Sequence, residues 1–157
     1  MAIEIDITKR IARAPADAIA AIADIDAWPR WLIASGIVTV LRAPAAAGAA
    51  PTRGERLTIE QRAAGRAGTF DVTVTAVEPG TRLALEGKDG DGVKIAIDAV
   101  VAPAPDDPAA TDLQWSFRID LPFRYRIFEG MAAPQVRHAA ALDIEALRLR
   151  LESTSRD

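Results

Sequence analysis

His138 is the only histidine in the chain, and so the only side chain that titrates near neutrality without perturbation. It could act as a general acid or base, or as a hydrogen-bond partner for a ligand. Its place on the flank of a C-terminal helical stripe also fits a partly solvated histidine at the edge of a core, which is the commoner case. Because no cysteine or second histidine is present, we expect no zinc site.

The carboxylates on the predicted strands fall out of phase with the apolar rows, so we expect them to face water: Glu60, Asp71, Glu86, Asp98 and Asp120. No inward pair of carboxylates for acid–base catalysis is therefore predicted. The inward polar candidates are Gln61, Thr39 and Tyr125, and such groups usually serve as satisfied core or rim residues. Gly-x-Ser-x-Gly and glycine-rich phosphate motifs are also absent, so the catalytic residues, if any, stay unknown.

The composition excludes several functional classes. The 157 residues carry a net charge of −3, which gives no basic excess for nucleic acid. Without cysteine, disulfides and thiolate catalysis are excluded. The sequence shows neither a signal peptide nor an apolar run of about 18 residues, so it predicts a cytoplasmic protein without a membrane span. We expect a single domain over residues 1–157, present as a monomer or homodimer.

The first elements follow from apolar periodicity. Alternation over 3–7 predicts a strand, and Pro15 suits the first turn of a helix over 15–23. Trp28, Trp31 and Leu32 fall on one face of a second short helix, and residues 37–42 predict a strand. The alanine-rich segment 43–51 has no helical period, so we expect a mobile loop that could act as a lid.

A series of antiparallel strands follows, joined by short turns. The inward rows are predicted to be 57 and 59, the even residues of 70–76, 83 and 85, and the odd residues of 93–101 and 113–121. Residues 103–108 contain three prolines and are predicted to be a polar loop.

The chain then changes to a helical period. Its stripe is expected to contain Val136, Ala140, Ile144, Leu147 and Leu151, widened by Leu142, Ala146 and Leu149. Pro134 either begins this helix or kinks a longer one that starts near Ile127.

Several features of the sequence together resemble one known superfamily. They are the segment 11–19, Asp24 with the 28–31 tryptophan segment, Gly54, the 77–83 turn and the helix 142–152. The resemblance is to the START-like (SRPBCC) superfamily of polyketide cyclase/dehydrase and lipid-transport proteins, with the Bet v 1-like helix-grip fold. The resemblance covers nearly the whole chain. It implies an α+β fold in which a seven-stranded curved antiparallel sheet carries two short helices and a long C-terminal helix across it. It also implies a pocket for an apolar or amphipathic ligand.

The bulky sheet residues Trp115 and Phe117 oppose an alanine-rich helix, which either settles close to the sheet or leaves a void. We predict an apolar void whose ligand-binding residues are Trp31, Phe70, Val72, Ile97, Trp115, Phe117, Met131, His138 and Leu142. The predicted function is binding of a small hydrophobic or amphipathic molecule, without a cofactor. The alternatives are a polyketide cyclase/dehydrase-type enzyme using the same pocket, and an interaction module with a filled core. The sequence leaves open whether the protein is an enzyme.

Overall fold

A seven-stranded sheet and a long C-terminal helix dominate the structure, a computed structural model that describes residues 2–63 and 66–154. The strands are β1 (Ala2–Ile11), β2 (Ile37–Leu41), β3 (Arg56–Ala63), β4 (Arg66–Glu78), β5 (Arg82–Lys88), β6 (Lys94–Ala104) and β7 (Asp107–Asp120). All neighbours pair antiparallel in the order β1-β7-β6-β5-β4-β3-β2. Helix α1 (Pro15–Ala23) precedes a 3-10 helix (Ile25–Arg30), and a second 3-10 helix (Phe123–Phe128) leads into α2 (Glu129–Thr154). The predicted helix-grip architecture is confirmed.

The predicted inward rows of β6 and β7 are correct. Ile97 and Trp115 are buried, whereas Lys94 and Arg118 are exposed on the other face. Ile97 pairs with Phe117 across the ladder, and that phenylalanine is only half-buried. The reason is that the sheet surface there borders an open groove rather than packed side chains.

The prediction that even-numbered residues of β4 face inward is correct only as far as Val74. Phe70, Val72 and Val74 are buried, but a bulge between Val74 and Ala76 shifts the register. An extra residue in one strand reverses the phase of the side chains beyond it. Ala76 is therefore half-buried, and Val77 packs against the core instead.

The predicted loop at residues 103–108 is wrong in extent. Pro103 still pairs with Thr111, and Ala104 with Asp107, so only residues 105 and 106 lie outside strands. Proline is tolerated because β5 pairs with β6 no further along than Val100. Pro103 therefore faces no second neighbour that would need its missing N–H.

The second short helix differs from its prediction. It is a 3-10 helix that contains Pro29 and ends at Arg30, so Trp31 and Leu32 follow it. Proline lacks the N–H that a continuing α-helix would need. The three residues of the predicted apolar face, Trp28, Trp31 and Leu32, are nonetheless all buried.

Helix α2 corresponds to the longer of the two predicted possibilities, with Pro134 in its interior. Ala140, Ile144, Leu147 and Leu151 are its buried apolar stripe. The expected widening by Leu142 and Leu149 is wrong, since these side chains are 50% and 55% exposed. At about 100° per residue they lie roughly opposite the buried stripe. Within residues 2–63 and 66–154, no helix is long and apolar enough to cross a membrane.

A largely buried ion cluster contacts the alanine-rich segment after β2. The Arg42 guanidinium, 1% exposed, donates to the Glu55 carboxylate at 2.7 and 2.9 Å and to Asp26 at 2.9 Å. It also donates to the Ala49 carbonyl at 2.8 Å, and the Gly48 N–H donates to Asp26 at 2.9 Å. Residues 43–49 form successive turns between these anchors. The mobility expected of this segment stays a prediction.

Replacing Arg42 by alanine should lower the free energy of unfolding by about 2–4 kcal/mol, because it leaves the Glu55 carboxylate poorly solvated and unpaired. The Arg42 hydrogen bond lowers the pKa of Glu55, so its contribution is present above about pH 4.3 and disappears as the pH falls through the lowered value. Urea unfolding at neutral and acid pH measures both effects.

Arg118→Ala is the matched control, since Arg118 pairs with Asp120 and Glu4 on the exposed face. That change should cost less than about 1 kcal/mol. Equal losses in the two variants would contradict a structural role specific to the Arg42 cluster.

Candidate ligand-binding groove

A groove lies between the N-terminal half of α2 and strands β4, β6 and β7. From Ala140 onward the helix rests on the core, whereas residues 129–139 are at most partly buried. Ala132 and Val136 in this half pack against the cluster that contains Ile3 and Ile5 of β1. The open space beside this half has a volume of about 610 Å³.

The walls of the groove are mostly apolar. The sheet side is lined by inward residues of β4, β6 and β7 and their ends: Phe70, Val93, Ile95, Phe117, Ile119 and Leu121. The helical side consists of Tyr125, Phe128, Met131, Ala132 and Val136. Four polar side chains complete the lining, namely Gln61, Arg66, Asp89 and Gln135.

A narrow inner void adjoins this groove. Its volume is about 30 Å³, room for roughly one water molecule. It shares Gln61, Phe70, Ile95 and Phe117 with the groove and reaches the more deeply buried Ile97, Trp115 and Ala140. The outer groove can therefore receive a sizeable apolar group, whereas the inner void is nearly filled.

Three tryptophans form the packed region beside the inner void. Trp115 lies edge-on to Trp28 and Trp31, with ring centroids 6.3 and 5.7 Å apart, the arrangement that aromatic quadrupoles favour. The Trp28 indole N–H donates to the Ile22 carbonyl at 2.8 Å. The three tryptophan side chains thus fill the core where α1, the sheet and the first 3-10 helix meet.

The polar rim of the groove is an ion-paired cluster. The Arg66 guanidinium donates to Asp89 at 2.9 Å and also to Asp91. The Tyr125 ring has the Arg66 and Arg124 guanidinium carbons 5.7 and 4.8 Å from its centroid. Hydrogen bonding to Asp91 raises the pKa of Arg66, which is therefore a permanent cation at this rim.

A hydrogen-bonded chain links α2 to the groove lining. The Asp143 carboxylate, 2% exposed, accepts the backbone N–H groups of Ala34 and Ser35, both at 2.8 Å. The Ser35 carbonyl in turn accepts the Gln61 side-chain N–H at 2.7 Å. Burial raises the pKa of Asp143, and these hydrogen bonds oppose the shift.

The structure brings together five of the nine predicted site residues. Phe70, Ile97, Trp115 and Phe117 surround the inner void, and Met131 borders the outer groove while remaining 73% exposed. These residues line the two adjoining spaces because they lie on the inward sheet rows and on the N-terminal half of α2.

The other four predicted residues lie elsewhere. His138 and Leu142 are on the exposed face of α2 and line neither the groove nor the void, which corrects our placement of them. Their angular positions lie far from the buried stripe. Val72 is in the core, and Trp31 lines only a separate depression beside α1. The suggested lid segment 43–52 contributes nothing to the lining, so the structure gives it no such role.

Sequence reasoning missed several groove residues. Asp143 lies behind the lining and interrupts the apolar stripe of α2, so the sequence could have indicated it as a buried acceptor. Arg66, Asp89 and Gln135 gave no comparable signal, because they lie on β4, the turn after β5 and α2, which are far apart in the sequence. Gln61 and Tyr125 were considered as inward polar groups and do line the groove.

The two charged side chains of the lining, Arg66 and Asp89, are paired with each other. Among residues 2–63 and 66–154, no three His, Asp or Glu side chains are grouped as a metal site. A depression of about 690 Å³ on the other sheet face is lined by charged side chains including Asp71, Glu86 and Lys94, and resembles a solvated strand surface.

Sheet, helix and groove together define a helix-grip protein with an apolar cavity under its C-terminal helix. The sequence profile of the family described as "Polyketide cyclase / dehydrase and lipid transport" matches residues 2–152. The chain belongs to this family. No protein of curated function matches it at a significant level.

Solved structures share the fold at low sequence identity. The Zhui aromatase/cyclase from a Streptomyces species has a TM-score of 0.75 at 12% identity, covering 97% of this chain and 94% of that one. A START superfamily protein from Mycobacterium smegmatis has a TM-score of 0.71 at 16% identity, covering 96% and 98%. A Thermus thermophilus protein has a TM-score of 0.74 at 12% identity, covering 97% and 99%. Identities this low show a common fold alone.

Asp143→Ala should lower the free energy of unfolding by about 1–3 kcal/mol, because two backbone N–H groups lose their acceptor. The raised pKa means that the folded protein holds a proton more tightly than the unfolded chain. The stability difference between wild type and variant should therefore shrink as the pH rises from about 4 to 7. Thermal or urea unfolding across this range measures it.

Glu60→Ala is the control, because Glu60 is an exposed carboxylate on β3. Its effect on the free energy of unfolding should be small. If the difference in unfolding free energy between wild type and Asp143→Ala instead grows with pH, the folded state favours the ionised carboxylate. That result would contradict the raised pKa of Asp143.

Proposed function

We propose that the protein binds a small hydrophobic or amphipathic molecule in the groove and acts as its carrier. The observation that supports this most directly is the apolar groove of about 610 Å³ between the N-terminal half of α2 and the sheet strands β4, β6 and β7. Small-molecule sites usually measure about 300–1,000 Å³ and combine apolar walls with a few polar groups. Family membership is consistent with this role.

The lining suggests how an amphipathic ligand would be oriented. Its apolar part would lie against Phe70, Ile95 and Phe117, next to the inner void. Its polar end would remain at the rim beside Gln135 and the Arg66 cluster, where water and hydrogen-bond partners are available. Burying only the apolar part avoids the cost of desolvating a polar group.

The alternative is a cyclase/dehydrase-type enzyme using the same groove. The structural relative named as an aromatase/cyclase makes this a reasonable second candidate. An acid–base enzyme needs at least two free polar or ionisable groups near the substrate. Here Arg66 and Asp89 are paired, Gln61 is engaged by Ser35 and His138 faces away. Tyr125 and Gln135 are the polar side chains that remain in the lining, and a site with so few of them supports the carrier.

Ala132→Trp tests the binding site. Ala132 lines the groove on α2, so an indole there should fill the cavity and weaken binding of an apolar fluorescent probe such as anilinonaphthalene sulfonate about tenfold or more. The fold should survive because the cavity accepts the added volume. Probe titration and circular dichroism measure the two quantities.

Leu142→Trp is the matched control on the same helix, since Leu142 is 50% exposed and outside the lining. It should bind the probe like the wild type. If Ala132→Trp instead unfolds the protein by overpacking and the wild type binds no probe, the groove is not a binding site.

The carrier and enzyme proposals differ in what the purified protein should contain. Mass spectrometry under native conditions should find a bound apolar molecule in unaltered form, and Ala132→Trp should lack it. His138→Ala should retain it, because His138 lies outside the groove. Conversion of the recovered molecule on incubation with the wild type would favour the enzyme. The single-domain organisation, cytoplasmic location, monomeric or homodimeric state and lack of a cofactor stay predictions.

A further inference from the structure

Among the residues that the structure describes, Gln61 is the one polar side chain that lines both the groove and the inner void. It continues the inward row of β3 after Leu57 and Ile59, which are buried. Because alternate side chains of a strand point to the same face, its amide is directed to the interior of the protein. Gln61 therefore occupies the place where the wide groove meets the narrow void.

The orientation of this amide is set by its neighbour. The Gln61 Nε2 group donates to the Ser35 carbonyl at 2.7 Å. A carbonyl oxygen only accepts, so the atom that approaches it is the amide nitrogen and not the amide oxygen. Ser35 is itself held, because its backbone N–H and that of Ala34 both donate to the Asp143 carboxylate at 2.8 Å. A chain of hydrogen bonds from α2 thus fixes the direction of the Gln61 amide.

The amide oxygen of Gln61 remains available as an acceptor. Within residues 2–63 and 66–154, no hydrogen bond to this oxygen is formed. Apart from Ser35, the other residues that line the inner void are aliphatic or aromatic, Ile97 and Trp115 among them. An acceptor in such surroundings is costly to the folded state unless a donor reaches it. A group that enters the void can supply that donor.

We propose that Gln61 determines ligand specificity by selecting a molecule that carries an uncharged hydroxyl group on its apolar part. This inference rests on the proposed binding function and names the chemical class of the ligand. The hydroxyl would occupy the inner void, whose volume of about 30 Å³ suits one oxygen atom, and would donate to the Gln61 oxygen. The ring or chain that carries it would fill the groove against Phe70 and Phe117.

A charged group suits the void poorly. No charged side chain is among the described residues that line it, and Arg66 and Asp89 lie in the outer groove, where they are paired. An ionised carboxylate or ammonium would lose its hydration there without meeting an opposite charge. The end of the ligand that enters first is therefore uncharged, and any charged end stays at the rim.

A ligand carbonyl also suits this place less well, although the second hydrogen of the Gln61 Nε2 group could donate to it. A carbonyl has no hydrogen to donate, so it leaves the Gln61 oxygen without a donor. A hydroxyl supplies that hydrogen and still has lone pairs that can accept one.

A pair of probes, 2-naphthol and 2-fluoronaphthalene, tests the proposal, because they have nearly the same shape and only the first can donate a hydrogen bond. Equilibrium dialysis measures the two dissociation constants. Gln61→Leu should lower the ratio of the fluoronaphthalene constant to the naphthol constant about tenfold relative to wild type, because the buried hydroxyl loses its acceptor. Circular dichroism checks the fold. Gln61→Met, with an unbranched side chain, provides the same comparison if Gln61→Leu unfolds.

Gln135→Leu is the matched control, because it removes the other amide of the groove lining, which does not border the void. It should leave the ratio of the two constants as in wild type. An unchanged ratio in the folded Gln61 variants, or an equal fall in Gln135→Leu, would overturn the proposal. Tighter binding of 2-naphthaldehyde than of 2-naphthol, if abolished by Gln61→Leu, would also overturn it, since the amide nitrogen would then recognise a carbonyl.

The same measurements separate this proposal from the proposed function. If wild type binds both naphthalene probes and the Gln61 variants change the two constants alike, the groove is a binding site and only the hydroxyl specificity fails. If wild type binds neither these probes nor anilinonaphthalene sulfonate, the proposed function fails, and this inference fails with it.

Discussion

The packing of the C-terminal half of α2 on the tryptophan core is the contact on which the rest of the structure depends. Ile144, Leu147 and Leu151 belong to the same buried cluster as Trp28 and the inward rows of the sheet. Burial of such side chains provides the main free-energy gain of folding. The stripe is fully buried only from Ala140 onward, and the preceding half of the helix packs on the cluster with Ile3 and Ile5 and leaves the groove open beside β4, β6 and β7.

Two buried carboxylate sites complement this apolar contact. Asp143 joins α2 to the turn before β2, and Glu55 with Arg42 joins β2 to the segment that follows it. Each carboxylate is satisfied by donors from a different part of the chain, so neither is left with the full cost of burial. Both carboxylates hydrogen-bond to loops that the apolar core does not reach. Through Ser35 and Gln61, Asp143 also supports the groove wall.

The groove and its rim differ in the kind of interaction they offer. The walls provide nonspecific apolar contact, and the rim provides permanent charges that already neutralise one another. Beside this rim, the apolar side chains of Phe123 and Ile127 are largely exposed to solvent.

The sequence by itself determined the element order, the inward rows of β6 and β7 and the buried stripe of α2. The reason is that the spacing of apolar residues along the chain follows the period of a strand or a helix. It also indicated Phe70, Ile97, Trp115 and Phe117 as neighbours, since they occupy inward strand positions. Only the tertiary structure decided that Val77 replaces Ala76 at the core, because a bulge depends on pairing with the next strand. It likewise decided that Arg66, Asp89 and Tyr125 meet at one rim. The outward direction of His138 and Leu142, in contrast, follows from about 100° of rotation per residue relative to the buried stripe, and the sequence-based placement of these two residues misjudged it. Proximity between elements far apart in the sequence arises from packing, and no local period encodes it.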